Sequence, residues 1–221
     1  RIIMYHYIFF DLDGTLTDSK EGIFKSVRYA LEKLGRPVPG DDILTLFVGP
    51  PLADSFMNFC GMTRPEADEA VRIFRERYAV KGLFENAAVP GGPELLRRLK
   101  ERGYVLALAS SKPVEHCRPI VERFGYAPYL DVVAGSEGES DETKADIIRK
   151  AMAQLGITQA DKARVLMVGD RKFDVLGARE CGIDCVGLEV CRYGQPGELE
   201  AAGAVAVVET MEELETFILH H

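Results

Sequence analysis

Short apolar runs alternate with amphipathic stretches over most of the chain. Six runs have the length and composition of buried strands, at residues 7–10, 105–109, 132–134, 165–168, 185–187 and 206–208. Apolar residues at helical spacing fill intervals between them, at 93–101, 114–124, 144–155 and 175–181. Strands that alternate with helices predict a parallel sheet covered by helices on both faces. We therefore predict an α/β fold with a Rossmann-like, doubly wound parallel sheet.

The segment from residue 18 to 89 has a different pattern, with helical periodicity and no convincing strand. Within it, Thr63 and Glu66 have the spacing of a capping box, and Pro65 suits the first turn of a helix. We predict that this segment is an all-helical cap domain, inserted into an α/β catalytic core of residues 1–17 and 90–221. The same pattern also fits a helical layer that packs on the sheet without a gating role.

Two carboxylates follow the first predicted strand. Asp11 and Asp13 come directly after the apolar run 7–10. Like charges this close are costly unless a cation lies between them or one of them is protonated. Open parallel sheets bind ligands beyond the carboxyl ends of their strands, so the pair is a candidate for metal-assisted chemistry. The alternative is an acidic turn after a strand.

Further polar residues lie near later strands. Ser110 and Ser111 follow the second predicted strand, Asp170 and Asp174 follow the fourth, and Lys144 opens the helix before the fourth. Together with the first pair they offer carboxylates for a hard divalent cation, for which we expect Mg²⁺. They also offer a hydroxyl that can donate to a phosphoryl oxygen and an ammonium that balances negative charge. The set favours phosphoryl transfer.

Each of these later residues also has a simpler interpretation. The two serines could start a helix, Lys144 could be a solvated surface charge, and Asp174 could be a helix N-cap. Lys112 and Lys172 also lie near predicted strand ends, so Lys144 is not the one possible balancing cation. The order of the polar residues after successive predicted strands is what favours a common site.

The sequence DLDGTLTDS at residues 11–19 resembles the first motif of the haloacid dehalogenase-like hydrolases, DxDGTLxDS. Ser110 resembles the serine or threonine of the second motif of that family, and Lys144 the lysine of the third. Asp170 and Asp174 resemble the fourth motif, GDxxxD, and the inserted helical segment resembles the helical cap of the phosphoglycolate phosphatase-like branch. The four motifs occur in the family's order and span nearly the whole core.

The resemblance implies a role for each residue. Asp11 would be the nucleophile that forms an aspartyl phosphate, and Asp13 the general acid and base, held neutral in the first step by a crowded acidic neighbourhood. Asp11, the backbone carbonyl of Asp13 and Asp170 would bind the metal, and Asp174 would bind it directly or support a ligand. The phosphate-binding residues would be Ser110, Ser111 and Lys144.

Composition limits the partners. The chain has 221 residues and a formal net charge of −8, which argues against a nucleic-acid polymer as partner. No apolar run is long enough to cross a bilayer, so no membrane partner is expected. Five cysteines without a CxxC pair predict reduced thiols and a cytoplasmic location. We expect a monomer or a homodimer.

The predicted function is that of a magnesium-dependent phosphatase acting on a small phosphorylated metabolite, most like a phosphoglycolate phosphatase or a 5'-nucleotidase. We expect substrate choice to lie in the cap, where Gly49 and Pro50 form a rigid, tight turn between two helices. A sugar phosphomutase of the β-phosphoglucomutase type would keep the same core residues and stays an alternative. A phosphate-binding regulatory protein on the same scaffold is the alternative from outside the enzymes.

Overall fold

The computed structural model describes residues 4–138 and 141–221, so residues 1–3, 139 and 140 of the predicted core lie outside the described part. The strands are β1 (Tyr7–Phe10), β2 (Val105–Pro113), β3 (Val132–Ser136), β4 (Val165–Gly169), β5 (Asp184–Leu188) and β6 (Ala206–Val208). They form one parallel sheet in the order β3-β2-β1-β4-β5-β6. The predicted α/β fold with a doubly wound parallel sheet is confirmed.

Helices connect the strands. In the described residues these are α1 (Lys20–Lys33), α2 (Asp41–Thr45), α3 (Leu52–Cys60), α4 (Arg64–Tyr78), α5 (Gly92–Glu101), α6 (Val114–Arg123), α7 (Lys144–Gln154), α8 (Lys172–Cys181), α9 (Glu198–Ala202) and α10 (Met211–Leu219). Short 3₁₀ turns occupy Gly82–Phe84, Ala127–Tyr129 and Gln159–Arg164. None of the described helices combines the length and the apolar character needed to span a bilayer.

The centre of the sheet is apolar on both faces. Ile8, Phe9 and Phe10 of β1 are fully buried, as are the residues of β4 from Val165 to Val168. Successive side chains of a strand point to opposite faces, so continuous burial requires helices on both sides of the sheet. The chain runs outward from β1 in one direction through β2 and β3, then returns to build β4 to β6 on the other side. The switch point of this topology therefore lies between β1 and β4.

The structure differs most from the predicted element boundaries at two places, the end of β2 and the start of α8. Strand β2 continues to Pro113, with an irregular register between Ala109 and Pro113, so Ser110 and Ser111 lie within a strand and do not start a helix. Helix α8 begins at Lys172, three residues before the predicted start. The apolar run identifies the strand but not its end, because the strand continues through the polar residues Ser110, Ser111 and Lys112.

The chain divides into two compact units. One contains the residues up to Thr17 together with Ala88–His221, and it holds the sheet. The other is Asp18–Ala87, which contains α1 to α4 and no strand. In this second unit the predicted capping box opens α4, since Thr63 Oγ1 accepts the Glu66 N–H at 3.4 Å and Glu66 Oε2 accepts the Thr63 N–H at 2.8 Å.

Candidate active site

The carboxyl ends of β1 and β4 bring two acidic segments side by side. The strands pair in parallel with Phe10 opposite Val168, and the Asp11 N–H donates to the Val168 carbonyl at 2.9 Å. Asp11 and Asp170 therefore leave the sheet at neighbouring positions. Gly14 allows this approach, because its φ is +83° and a Cβ on it would lie 2.2 Å from Asp170 Oδ2. Residues 11–14 thus pack directly against Asp170, the residue that follows β4.

Lys144 is brought into this cluster by the first turn of α7. Its Nζ lies 2.9 Å from Asp11 Oδ1 and 2.9 Å from Asp174 Oδ1, and it donates to the Ala109 carbonyl at 2.8 Å. The lysine is buried, so the solvated surface charge considered from the sequence is wrong. Gly177 of α8 makes room for its stem, since a Cβ at Gly177 would lie 2.9 Å from Lys144 Cγ.

Asp174 connects the lysine to the turn that carries Asp170. Asp174 Oδ2 accepts the N–H groups of Asp170 and Arg171, each at 3.1 Å, while Oδ1 faces Lys144. It is the third residue of α8, so a role limited to the N-cap position is wrong. Thr15 Oγ1 donates to Asp170 Oδ1 at 3.3 Å and fixes that carboxylate from the other side.

The electrostatics of the cluster show a shortage of positive charge. Burial raises the pKa of Asp11 to about 7, and the charge of Asp174 adds to the rise while Lys144 opposes it. Burial, then the charges of Asp11 and Asp174, hold the pKa of Asp170 well above its ordinary range. Burial alone would lower the pKa of Lys144, but Asp11 and Asp174 outweigh it and raise the pKa. Three carboxylates thus face one ammonium.

This donor set fits a hard divalent cation. Asp11, Asp170 and Asp174 each offer a carboxylate oxygen, and these oxygens lie within 4.8 Å of one another. Asp170 Oδ2 is buried and has no hydrogen-bond partner among the described residues, which is costly for a charged oxygen unless a ligand satisfies it. A doubly charged ion would neutralise the excess of two negative charges and would find the oxygen ligands that Mg²⁺ prefers.

The side chain of Asp13 faces a lysine that the sequence did not assign to it. Its Oδ1 lies 3.1 Å from Lys112 Nζ, and both side chains are less than a tenth exposed. The prediction of an acidic neighbourhood for Asp13 was therefore incomplete, because the buried Lys112 ammonium is in direct contact with the Asp13 carboxyl group. From the sequence, Lys112 was an alternative to Lys144 as the cation that balances Asp11. In the structure Lys144 contacts Asp11, and Lys112 contacts Asp13.

The remaining predicted core residues lie near the same strand ends. Ser110 is buried, and its Oγ accepts the Lys112 N–H at 3.2 Å. Ser111, the next residue of β2, is half-buried. Lys172 is exposed, and its Nζ lies 5.5 Å from the centre of the Phe173 ring, so it is not the balancing cation.

Gly49 and Pro50 belong to the unit of residues 18–87, in the segment between α2 and α3. Gly49 has a φ of +109°, a conformation that favours glycine and explains this residue type in the turn. The role of the two residues in substrate choice stays a prediction.

Sequence reasoning missed a buried ion pair behind the fourth motif. Arg171 Nε donates to Glu198 Oε1 at 2.8 Å, and both side chains are less than a tenth exposed. The Glu198 carboxylate also accepts the N–H groups of Lys172 and Gln195, each at 3.0 Å. Glu198 thereby ties the start of α8 to the loop before α9. The signal in the sequence is weak, because 27 residues separate the partners.

A parallel sheet with acids and a buried lysine at its switch point defines an α/β enzyme suited to hydrolytic phosphoryl chemistry. The chain belongs to the haloacid dehalogenase-like hydrolases, because residues 8–188 match that family. The predicted family is thereby confirmed.

Three curated relatives are similar to this chain over most of its length. A 5'-nucleotidase of Pseudomonas aeruginosa is 41% identical over 200 residues, covering 90% of this chain and 89% of that protein. The tyrosine-protein kinase PtkA of Mycobacterium tuberculosis is 39% identical over 210 residues, covering 94% and 70%. A plasmid phosphoglycolate phosphatase of Cupriavidus necator is 32% identical over 216 residues, covering 94% and 90%.

Among solved structures, a predicted phosphatase from Clostridium acetobutylicum superimposes with a TM-score of 0.93 at 41% identity, covering 99% of this chain and all of that chain. The family match and the phosphatases among its relatives identify the chain as a phosphoric monoester hydrolase, a HAD-like phosphatase.

Proposed function

We propose that the protein is a Mg²⁺-dependent phosphomonoesterase that uses Asp11 as its nucleophile and forms an aspartyl phosphate. The observation that carries the proposal is the pairing of Asp11 with Lys144 at the switch point of the sheet, beside the buried carboxylates of Asp170 and Asp174. A carboxylate attacking a phosphate ester meets an anion, so the reaction needs fixed positive charge at this place. Lys144 supplies a part of it.

In the first step, an Asp11 carboxylate oxygen attacks phosphorus, and the bond from phosphorus to the ester oxygen breaks. Asp13 gives its proton to the departing alkoxide, which leaves as an alcohol. Ser110 donates a hydrogen bond to a phosphoryl oxygen, and Lys144 balances the charge gathered around Asp11. Ser111 would assist in binding the phosphoryl group.

In the second step, Asp13 removes a proton from water, and the water oxygen forms a bond to phosphorus. The bond between phosphorus and Asp11 breaks, which regenerates the Asp11 carboxylate and releases inorganic phosphate. The two steps use the Asp13 proton once in each direction, so the residue ends the cycle as it began.

Mg²⁺ would be held by Asp11, Asp170 and the backbone carbonyl of Asp13. When bound, it would screen the charge of the phosphate from the carboxylates. Both oxygens of Asp174 already have partners, in Lys144 and in two backbone N–H groups, which favours a supporting role over direct ligation. Asp174 would fix the position of the Lys144 ammonium relative to the turn that carries Asp170.

The substrate is a small phosphorylated metabolite, with nucleoside monophosphates and 2-phosphoglycolate as the first candidates. The names of the Pseudomonas aeruginosa and Cupriavidus necator relatives support these two. The core residues address the phosphoryl group, which all phosphomonoesters share. We infer that residues 18–87 act as a cap that selects the leaving group, and that Gly49 and Pro50 take part in this selection.

A phosphate-release screen over phosphorylated metabolites, with and without Mg²⁺, tests the proposal. We expect release of inorganic phosphate that requires Mg²⁺ and that Asp11→Asn abolishes. Phosphate release that persists in Asp11→Asn would exclude Asp11 as the nucleophile. With a hexose phosphate, an isomerised sugar phosphate in place of free phosphate would identify a mutase.

The Mycobacterium tuberculosis relative gives phosphorylation of a protein tyrosine as a second candidate. Incubation with γ-labelled ATP and a tyrosine-containing peptide separates the two. Label in free phosphate supports the hydrolase, and label on the peptide supports the kinase.

A further inference from the structure

Lys112 is a buried cation for which no role has yet been assigned. Its side chain is 8% exposed, and a lysine at this depth is costly unless an anion faces its ammonium. The carboxyl group of Asp13, the proposed acid and base, faces this ammonium at 3.1 Å. Each of the two proposed catalytic carboxyl groups is thus in contact with its own buried lysine: Asp11 with Lys144 and Asp13 with Lys112.

The backbone around Lys112 is held from both sides. Its N–H donates to Ser110 Oγ at 3.2 Å, and its carbonyl accepts the thiol of Cys117 at 3.6 Å. It lies in the irregular part of β2, between Ala109 and Pro113. The ammonium is therefore presented by a strand end with fixed contacts, which is suitable for holding another side chain in one orientation.

The contact with Lys112 can fix the orientation of the Asp13 carboxyl group. Asp13 Oδ1 is buried and makes no hydrogen bond of good geometry with the described residues, so the ion pair with Lys112 is its described polar contact. A general acid works only when its proton-bearing oxygen is within reach of the leaving group. An ammonium that faces Oδ1 leaves Oδ2 as the oxygen for the proton.

We propose that Lys112 is a positioning residue for Asp13: it holds Oδ1 and thereby directs Oδ2 toward the leaving-group oxygen. The inference rests on the proposed function, in which Asp13 protonates that oxygen. Its consequence is selective, because only esters whose leaving group needs a proton should depend on Lys112. Phosphate binding by Lys112, in contrast, would affect all esters alike.

The experiment measures the single-turnover rate of phosphoenzyme formation with Mg²⁺. It uses p-nitrophenyl phosphate, whose leaving group needs no proton, and the alkyl phosphate hydrolysed fastest in the phosphate-release screen. The variants are Lys112→Met, Lys112→Arg, Asp13→Asn and the double variant Lys112→Met/Asp13→Asn. Lys172→Met is the matched control, since Lys172 is exposed and outside the site. Circular dichroism and Mg²⁺ titration show whether each variant folds and binds metal.

We expect Lys112→Met to slow transfer from the alkyl ester about 10²-fold, the scale of a displaced catalytic group, and transfer from p-nitrophenyl phosphate less than about threefold. Lys112→Arg should restore part of the alkyl rate. Asp13→Asn should show the same ester selectivity, with an alkyl loss of about 10²–10⁴-fold. Adding Lys112→Met to Asp13→Asn should cause no further loss.

Equal losses on both esters in Lys112→Met would overturn the inference, and so would losses that multiply in the double variant. If Asp13→Asn is ester-selective and Lys112→Met is not, the inference fails while the acid role of Asp13 stands. If Asp13→Asn shows no selectivity, the acid role in the proposed function fails, and the inference fails with it.

Discussion

At the scale of single residues, the site consists of buried charges that depend on one another. Lys144 forms ion pairs with Asp11 and Asp174, and Lys112 faces Asp13. Removing one partner from a buried ion pair leaves the other charge without compensation, which costs more than the pair itself contributes. Substitutions in this site should therefore separate into those that stop the chemistry and those that also weaken the fold.

Asp11→Asn should stop turnover without unfolding the protein. The amide keeps the shape of the side chain but cannot attack phosphorus, so we expect kcat to fall by roughly 10⁴–10⁶-fold, the scale seen when a nucleophile is removed. Acid quenching after mixing with substrate should trap a phosphoenzyme in the unchanged protein and none in the variant. A variant that retains a tenth of the rate would require a different nucleophile.

Lys144→Met should weaken the fold as well as the reaction. Two buried carboxylates would lose their common cation, so we expect the free energy of unfolding to fall by about 3–5 kcal/mol. Urea denaturation in the absence of Mg²⁺ measures this loss. Lys172→Met, the same change at an exposed lysine, should alter stability by less than about 0.5 kcal/mol. Equal effects of the two changes would contradict the assigned burial of Lys144.

At the scale of elements, α7 and α8 together explain how the lysine reaches the sheet. Lys144 begins α7, and its stem lies against Gly177 of α8. Helix α8 also carries Asp174 in its first turn. It therefore provides both the space for the Lys144 stem and one of the carboxylates that face the Lys144 ammonium. The packing of these two helices is thus part of the candidate active site.

Gly177→Ala tests this packing through the sign of its effect. In an open position of a helix, alanine stabilises by about 1 kcal/mol relative to glycine. At Gly177 the added methyl would lie 2.9 Å from Lys144 Cγ and 3.1 Å from the Ala145 nitrogen, so we expect a loss of about 1–3 kcal/mol instead. A urea midpoint that rises on substitution would show that the helices do not approach this closely.

The same elements show how far the sequence predicts the site. Asp11, Asp13 and Asp170 were predictable because each follows an apolar run, and parallel strands end at one edge of a sheet. The place of Lys112 was not, because the extent of β2 beyond Ala109 depends on pairing with β3 and on an irregular register. Strand existence follows from local pattern, whereas strand ends depend on neighbours.

The local sequence pattern also could not decide which of Lys112, Lys144 and Lys172 balances the charge of Asp11. Lys144 is buried because a glycine 33 positions later leaves space for it, and Lys172 is exposed although it adjoins the fourth motif. The family resemblance selected Lys144, and the structure gives the physical reason. The pair of Arg171 and Glu198 had no comparable signal, since neither residue follows a recognisable spacing.

At the scale of the whole molecule, Mg²⁺ should link the acidic cluster to overall stability. Binding to the folded state alone stabilises it by about 2.7 kcal/mol at a concentration one hundred times Kd. We expect Mg²⁺ to raise the melting temperature of the unchanged protein and to have little effect on Asp170→Asn, which lacks the buried carboxylate oxygen without a partner. An equal rise in both would place the ion elsewhere.

The central position of β1 has a consequence for synthesis on the ribosome. Asp11, the proposed nucleophile, is translated before its partners, because Lys144 lies 133 residues after it and Asp170 lies 155 residues after Thr15. Strand β4, which precedes Asp170, follows β1, β2 and β3 in the sequence and therefore leaves the exit tunnel after all three. A nascent chain therefore carries Asp11 without Lys144, Asp170 and Asp174, and the candidate site can assemble only after β4 and the start of α8 have left the tunnel.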